Sequence, residues 1–155
     1  AAPIRTLSHP PQNLFEKAVS GGEGARRVGR WGEALTAEYL RRQGYKLLSS
    51  GYCCRMGEID LIGVRDGILA FVEVKTRQNE RFGQGREFVD QRKQVRILAA
   101  AQQYLLEHPS CNGLQPRFDV AEVMAPKGTA TANPAIYYLE NAFDVGGWSD
   151  GYSTF

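Results

Sequence analysis

The sequence lacks three features that mark common protein classes. No apolar run among its 155 residues approaches the roughly 20 residues that a membrane-spanning helix needs. The three cysteines, Cys53, Cys54 and Cys111, form no C-x-x-C pair, and their odd number fits a reducing compartment better than a disulfide framework. The two histidines, His9 and His108, are too few for a multi-histidine metal site. We therefore expect a cytoplasmic protein with no membrane segment.

Charge is almost balanced overall but unevenly distributed along the chain. The formal net charge is +2, yet residues 26–96 carry fifteen basic against nine acidic residues, and residues 97–155 carry two against six. A basic half joined to an acidic half indicates a polyanionic partner on one face of the protein. Arginines that only decorate solvated helices would give the same count, so charge alone leaves both explanations open.

The hydrophobic pattern predicts one domain with loose ends. Residues 1–25 mix Pro, Ser, Gly and Asn without a sustained period, so we expect a flexible leader, a domain at 26–145 and a tail at 146–155. Helices are predicted at 30–43, about 86–108 and 141–145, and strands at 45–50, twice within 57–77, at 117–124 and at 135–139. The buried stripe predicted for the second helix is Phe88, Val95, Leu98, Ala99, Leu105 and Leu106.

The segment 57–77, GEIDLIGVRDGILAFVEVKTR, predicts a β-hairpin. The Asp-Gly pair at 66–67 favours a type I′ turn, because both central positions of that turn need a positive φ. With a two-residue loop, Asp60 faces Glu73 across the hairpin, and Lys75 follows on the same face. Both faces are otherwise largely apolar, which predicts a hairpin buried between helical layers. The face opposite the acids is predicted to carry Ile59, Leu61, Ile68, Ala70, Val72 and Val74.

The facing acids Asp60 and Glu73 are unusual beside an apolar layer. Like charges about 5 Å apart on opposed strands destabilise a sheet, and burying an unpaired carboxylate costs several kcal/mol. Three arrangements would offset this: a shared proton, the ammonium of Lys75, or a divalent cation bridging both carboxylates. Mg²⁺ often takes only one or two protein carboxylates, with water and phosphate oxygens completing its coordination. Glu33 would join the cluster if its helix packs over this face. The pattern thus predicts a metal site, with a non-catalytic salt-bridge network as the alternative.

The same residues carry a resemblance to a known family. Asp60 on one strand and Glu73-Val74-Lys75 on the next match the Asp…Glu-x-Lys motif of the PD-(D/E)XK nuclease superfamily, although Ile59 stands where that motif has Pro. The sequence resembles more closely the YraN-like bacterial family of endonuclease-like proteins, which are similar to archaeal Holliday-junction resolvases. The matching segments are GRWGEALTAEYLRRQGY (29–45), GEIDLIGVRDGILAFVEVKTR (57–77), RKQ (92–94), RFDV (117–120) and ENAF (140–143).

The resemblance implies a fold, an activity and a partner. The expected fold is a single restriction-endonuclease-like α/β domain, with a mixed central sheet flanked by helices on both faces. The expected activity is that of a Mg²⁺-dependent endonuclease on DNA, with Mn²⁺ as a substitute metal and a preference for branched or junction DNA in repair or recombination. A non-catalytic nucleic-acid-binding module on the same fold is the alternative, and a homodimer is expected by analogy alone.

The resemblance also assigns candidate site residues. Glu33, Asp60 and Glu73 would bind the metal, and Lys75 would complete the catalytic set by serving the attacking water. Residues 75–96 carry seven basic against three acidic side chains, which is typical of a surface that follows a phosphate backbone. The candidates for nucleic-acid contact are Arg77, Arg81, Arg86, Gln91 and Lys93.

Overall fold

The computed structural model of the chain describes residues 4–6, 22–78 and 89–143. These residues form a six-stranded mixed sheet with a helix on each face. The elements are β1 (Ile4–Thr6), α1 (Gly22–Arg42), β2 (Lys46–Cys54), β3 (Gly57–Arg65), β4 (Ile68–Arg77), α2 (Gln91–Glu107), β5 (Gln115–Met124) and β6 (Ala135–Leu139). The strand order is β1-β6-β5-β4-β3-β2, and only β4 and β5 run parallel. The predicted α/β class is confirmed, and the architecture is consistent with a restriction-endonuclease-like fold.

The segment predicted to be a leader contains β1 and the first turn of α1. β1 pairs antiparallel with β6, and α1 begins at Gly22, well before the predicted start of the first helix. The early part of α1 contains Gly24 and Gly29 and no sustained apolar period, so the sequence pattern did not reveal it. The end of α1 was predicted closely, because Gly44 adopts a φ of 92° that most other residues avoid.

The β3–β4 hairpin forms with the predicted turn. Asp66 and Gly67 have φ values of 51° and 76°, as a type I′ turn requires. The ladder then continues in the predicted register as far as the pair Leu61–Val72. The two strands are therefore joined at the turn end, while the end that carries the acids lies beyond the last ladder pair.

Helix α2 begins at Gln91, later than predicted, because Asp90 caps it. The backbone of Asp90 is extended, and its Oδ1 accepts the N–H of Lys93 at 2.8 Å. The predicted buried stripe is wrong at Val95 and Leu106, which are 60% and 72% exposed. Leu105 is buried as predicted, Leu98 and Ala99 are half-buried, and Phe88 lies outside the described residues. The buried residues of α2 are Ile97, Ala100, Ala101, Tyr104 and Leu105. The prediction followed large aliphatic residues on one side of the helix, whereas the packed side includes two alanines that permit close approach to the sheet.

The helix predicted at 141–145 is absent from the described residues, which end at 143. Asn141 has a φ of 52°, in the left-handed region, so the chain turns directly after β6. The predicted tail, 146–155, lies outside the described residues. None of the described helices is long and apolar enough to cross a membrane.

Each helix covers a separate apolar cluster on the sheet. The cluster under α1 includes Trp31, Leu35, Leu40, Leu61, Val72, Ala121 and Ile136. The cluster under α2 includes Ile59, Ile62, Phe71, Val89, Ile97, Tyr104, Phe118 and Val120. The hairpin is therefore buried between two helical layers, as its apolar faces predicted.

Candidate active site

The acidic end of the hairpin is a place where β3 and β4 separate. Beyond the last ladder pair, the N–H of Val74 is hydrogen-bonded to Oδ2 of Asp60 at 2.8 Å rather than to a backbone carbonyl. A side-chain carboxylate has thus taken the place of a ladder acceptor. The predicted direct ladder pair between Asp60 and Glu73 does not form, because the ladder stops one residue before it.

The alternation of side chains along β3 breaks at Asp60. Ile59 and Ile62 both belong to the cluster under α2, whereas Leu61 belongs to the cluster under α1. In a regular strand Ile59 and Leu61 would share a face, so the prediction that Ile59 lies with Leu61 on the face opposite the acids is wrong. The strand turns over at this point, and Asp60 points toward the gap between β3 and β4. This irregularity places a carboxylate where both helical layers can approach it.

Helix α1 reaches the gap because of a glycine. A Cβ placed on Gly32 would lie 2.0 Å from Oγ1 of Thr76 on β4, so only glycine permits this approach. The next residue, Glu33, is hydrogen-bonded to Asp60 through their carboxyl groups. The structure therefore brings Glu33 to the acid cluster from the helix predicted to carry it, although α1 covers the opposite face of the sheet from Phe71 and Glu73.

The crowded carboxyl groups hold protons more tightly than usual. Burial, followed by the charge of Glu73, raises the pKa of Asp60 from 3.8 to about 7, against the opposing effect of the Val74 N–H. Burial also raises the pKa of Glu33, with the charge of Glu73 adding to this shift and the hydrogen bond to Asp60 opposing it. Glu73 itself is 7% exposed. This is the electrostatic situation that a bound cation would relieve.

Two lysines supply positive charge to the buried Glu73. Lys75 Nζ lies 3.5 Å from Glu73 Oε1, and Lys93 on α2 forms a direct ion pair with the same oxygen. Burial and the neighbouring Lys93 lower the pKa of Lys75. Burial alone would also lower the pKa of Lys93, but the hydrogen bonds to Glu73 and Lys75 outweigh it and raise the value. The predicted Asp60, Glu73 and Lys75 cluster is thus completed by a lysine from the second helix.

The other residues predicted to contact nucleic acid have different surroundings. Arg77 is not an exposed cation: its side chain is 9% exposed, and its Nε lies 3.1 Å from Oε1 of Glu122, which is fully buried. Gln91 is exposed at the first turn of α2. Arg81 and Arg86 lie outside the described residues.

Glu122 is a buried acid that was not predicted from the sequence. It lies on β5 beside Lys75 of β4, with the buried Val120 two positions before it on the same face. A signal was present, because a glutamate that continues the apolar alternation of a strand is expected to be buried and therefore paired. The Arg77–Glu122 ion pair adds no net charge next to Lys75.

The RFDV and ENAF segments build a second buried polar cluster. Asp119 is fully buried and accepts hydrogen bonds from Arg117 Nε at 2.9 Å, from the Tyr138 hydroxyl at 2.6 Å and from the N–H of Asn141 at 2.9 Å. Arg117 in turn donates to the hydroxyl of Tyr45. The Arg117–Asp119 contact lies within β5, whereas the contacts with Tyr138, Asn141 and Tyr45 join β5 to β6, to the turn after β6 and to the segment before β2, so these motif residues support the fold.

The donor set fits a hard divalent cation only with help from non-protein oxygens. No group of three or more His, Cys, Asp or Glu side chains within 22–78 and 89–143 is arranged to hold a metal ion. Glu33 is placed as a hydrogen-bond partner of Asp60, which leaves Asp60 and Glu73 as the carboxylate pair. One or two carboxylates, water and a substrate phosphate are a common Mg²⁺ environment. The residues therefore fit Mg²⁺ in that form.

Comparison with known proteins places the chain in a family. The profile described as uncharacterised protein family UPF0102 matches residues 32–123. A UPF0102 protein of Syntrophotalea carbinolica is 44% identical over 121 residues, which cover 78% of this chain and 94% of the relative. A UPF0102 protein of a Synechococcus species is 42% identical over 120 residues, covering 76% and 92%. One from Caldanaerobacter subterraneus subsp. tengcongensis is 44% identical over 116 residues, covering 75% and 93%. The chain belongs to the UPF0102 family.

Proposed function

We propose that this protein is a Mg²⁺-dependent, endonuclease-like phosphodiesterase that acts on DNA, with a preference for branched or junction DNA in repair or recombination. One observation carries the proposal: the Asp60 carboxylate lies in the gap between β3 and β4, close to the buried Glu73 and its two lysines. Two acids and a lysine, brought together where two strands part, match the motif to which the sequence is similar.

Each residue of the cluster has a chemical task in this proposal. Asp60 and Glu73 would hold Mg²⁺, and Glu33 would position Asp60 through their hydrogen bond. When bound, Mg²⁺ supplies charge neutralisation at the phosphate and lowers the pKa of a coordinated water. Lys75, anchored by Glu73, would orient the attacking water. Lys93 would hold a phosphate oxygen from the other side, where the N-terminus of α2 adds favourable dipole charge.

The charge distribution supports a nucleic-acid substrate. Residues 26–96, which contain the whole carboxylate–lysine cluster, carry the excess of basic side chains. Lys75 and Lys93 lie within the cluster, while Arg92 and Arg96 are exposed on the first turns of α2. Such a surface attracts the phosphate backbone without reading base sequence, which agrees with recognition of DNA shape.

A cleavage assay with matched substitutions tests the proposal. Branched, flap and linear DNA are incubated with Mg²⁺ or Mn²⁺ and wild-type protein, Asp60→Asn or Lys75→Ala. Asp66→Asn and Lys46→Ala make the same changes at exposed positions outside the cluster. We expect the cluster variants to lose activity by about 100-fold or more and the controls to keep it. Activity that survives both cluster substitutions, or activity on none of the DNAs, would refute the proposal.

A non-catalytic nucleic-acid-binding module is the second candidate. It is favoured by the ion pair between Lys93 and Glu73, because an internal cation already balances one of the two acids. Calorimetric titration with Mg²⁺ separates the two functions. Binding that Asp60→Asn abolishes supports the phosphodiesterase, whereas DNA binding without any metal binding supports the module.

A further inference from the structure

An open pocket of about 520 Å³ adjoins the acid cluster on the α1 side. It lies between the first turns of α1, the end of β4 and the turn that follows β5. Its lining includes Val28, Gly29, Glu33, Val74, Lys127 and Thr129. Ligand pockets generally measure about 300–1,000 Å³, so the space suits one small ligand or one unit of a polymer.

The pocket opens directly onto the candidate active site. Glu33 lines it and is hydrogen-bonded to Asp60, and Val74 lines it and donates its N–H to Asp60. A ligand in this space would therefore lie next to the carboxylates of the candidate active site. Because the pocket and the candidate active site share these residues, the pocket is not an unrelated surface cleft.

The walls of the pocket have the chemistry that a nucleotide needs. Val28 and Val74 supply apolar surface for a base, and glycines at 24, 29 and 128 leave room for a sugar-phosphate chain close to the backbone. Lys127 is exposed at the mouth, and Arg30 lies near enough to Glu33 for its charge to lower the pKa of that carboxyl. Lys127 would face phosphate, while the interior would take the base and sugar.

We propose that this pocket binds one unpaired nucleotide of the DNA strand, next to the scissile phosphate. This inference rests on the proposed function, because it takes DNA as the ligand. It adds which feature of the DNA the protein selects, namely an unpaired nucleotide. A paired nucleotide must be unstacked before it can enter, at a cost of a few kcal/mol, and an already unpaired one avoids this cost. DNA with a single-stranded arm should therefore bind about tenfold or more tightly than the fully paired duplex.

Gly29 offers a way to fill the pocket without disturbing the fold. A Cβ at Gly29 has no atom within 4 Å, and the same holds for Gly113, which precedes β5 at the other end of the sheet. Gly29→Phe and Gly113→Phe thus add the same side chain at two open positions. Both are made in the Asp60→Asn background without metal, so that binding is measured by fluorescence anisotropy and no DNA is cut.

We expect Gly29→Phe to reduce the preference for armed over paired DNA to about twofold or less, and Gly113→Phe to leave it intact. An equal preference in both variants, or no preference in the background protein, overturns the proposal. Because cleavage is not measured, the result is separate from the proposed function. Cleavage by the wild type together with an unaffected preference in Gly29→Phe would refute the pocket and leave the phosphodiesterase standing.

A charge reversal covers the case in which Gly29→Phe does not fold. Lys127→Glu changes the pocket mouth, and Lys46→Glu makes the same change at an exposed lysine on β2, near the turn end of the hairpin. Lys127→Glu should weaken binding of the armed DNA at least about fivefold more than Lys46→Glu at the same salt concentration. Equal losses in the two variants would overturn the proposal.

Discussion

The raised pKa of Asp60 makes the stability of the metal-free protein depend on pH. In the folded protein the Asp60 carboxyl keeps its proton up to about pH 7. In the unfolded chain the same carboxyl loses its proton near its ordinary pKa of 3.8. Between these values the folded state binds more protons, so stability falls as the pH rises from about 4 to about 7 and stays low above that. At roughly 1.4 kcal/mol for each pKa unit, the difference between 3.8 and about 7 gives a loss of up to about 4 kcal/mol.

Asp60→Asn removes this dependence, because the amide is neutral at every pH and its oxygen can still accept the N–H of Val74. In the presence of a chelator, we expect the variant to exceed the wild type in unfolding free energy by about 2 to 4 kcal/mol at about pH 8.5 and to match it only below about pH 4, where the carboxyl is protonated in both the folded and the unfolded state. Urea unfolding followed by circular dichroism at both pH values gives the difference. Added Mg²⁺ should then stabilise only the wild type, since binding to the folded state alone raises its stability.

Asp66→Asn is the matched control for this experiment. Asp66 lies in the β3–β4 turn with a side chain that is 90% exposed, and asparagine tolerates its positive φ equally well. Its effect on stability should be small and the same at both pH values. A wild type that is as stable as Asp60→Asn at about pH 8.5 would show that the crowding of Asp60 with Glu33 and Glu73 carries no energetic penalty.

Three further predictions follow from single contacts. Lys93→Gln should raise Mg²⁺ affinity about three- to tenfold in calorimetry, because it removes the cation that pairs with Glu73. Arg92→Gln, at the exposed neighbouring position, is the control, and an equal effect of both substitutions would contradict this prediction. Gly32→Ala should lower the unfolding free energy by about 1 to 3 kcal/mol, because the added Cβ clashes with Thr76. Gly29→Ala should not lower it, because the Cβ at that position enters open space. Asp119→Ala should lower it by about 3 to 5 kcal/mol, and a loss below about 1 kcal/mol would show that the buried hydrogen bonds do not support the fold.

The sequence by itself determined the local structure of the hairpin and the identity of most of the acid cluster. The Asp-Gly turn and the apolar alternation of both strands fixed the register as far as Leu61 and Val72, because these signals act between near neighbours in the chain. The Asp60 and Glu-x-Lys pattern then placed two acids and a lysine at one end of the hairpin. Family membership rests on a longer stretch, residues 32–123, which contains this hairpin.

Only the tertiary structure decided how those charges meet. The reversal of side-chain direction at Asp60 depends on how β3 separates from β4, and the approach of Glu33 depends on Gly32 packing against Thr76 of a distant strand. The partners of Arg77 and Lys93 likewise lie on other elements, at Glu122 and Glu73. Contacts between residues far apart in the chain leave no periodic signal in it, because they arise from the packing of whole helices and strands and not from local backbone preference.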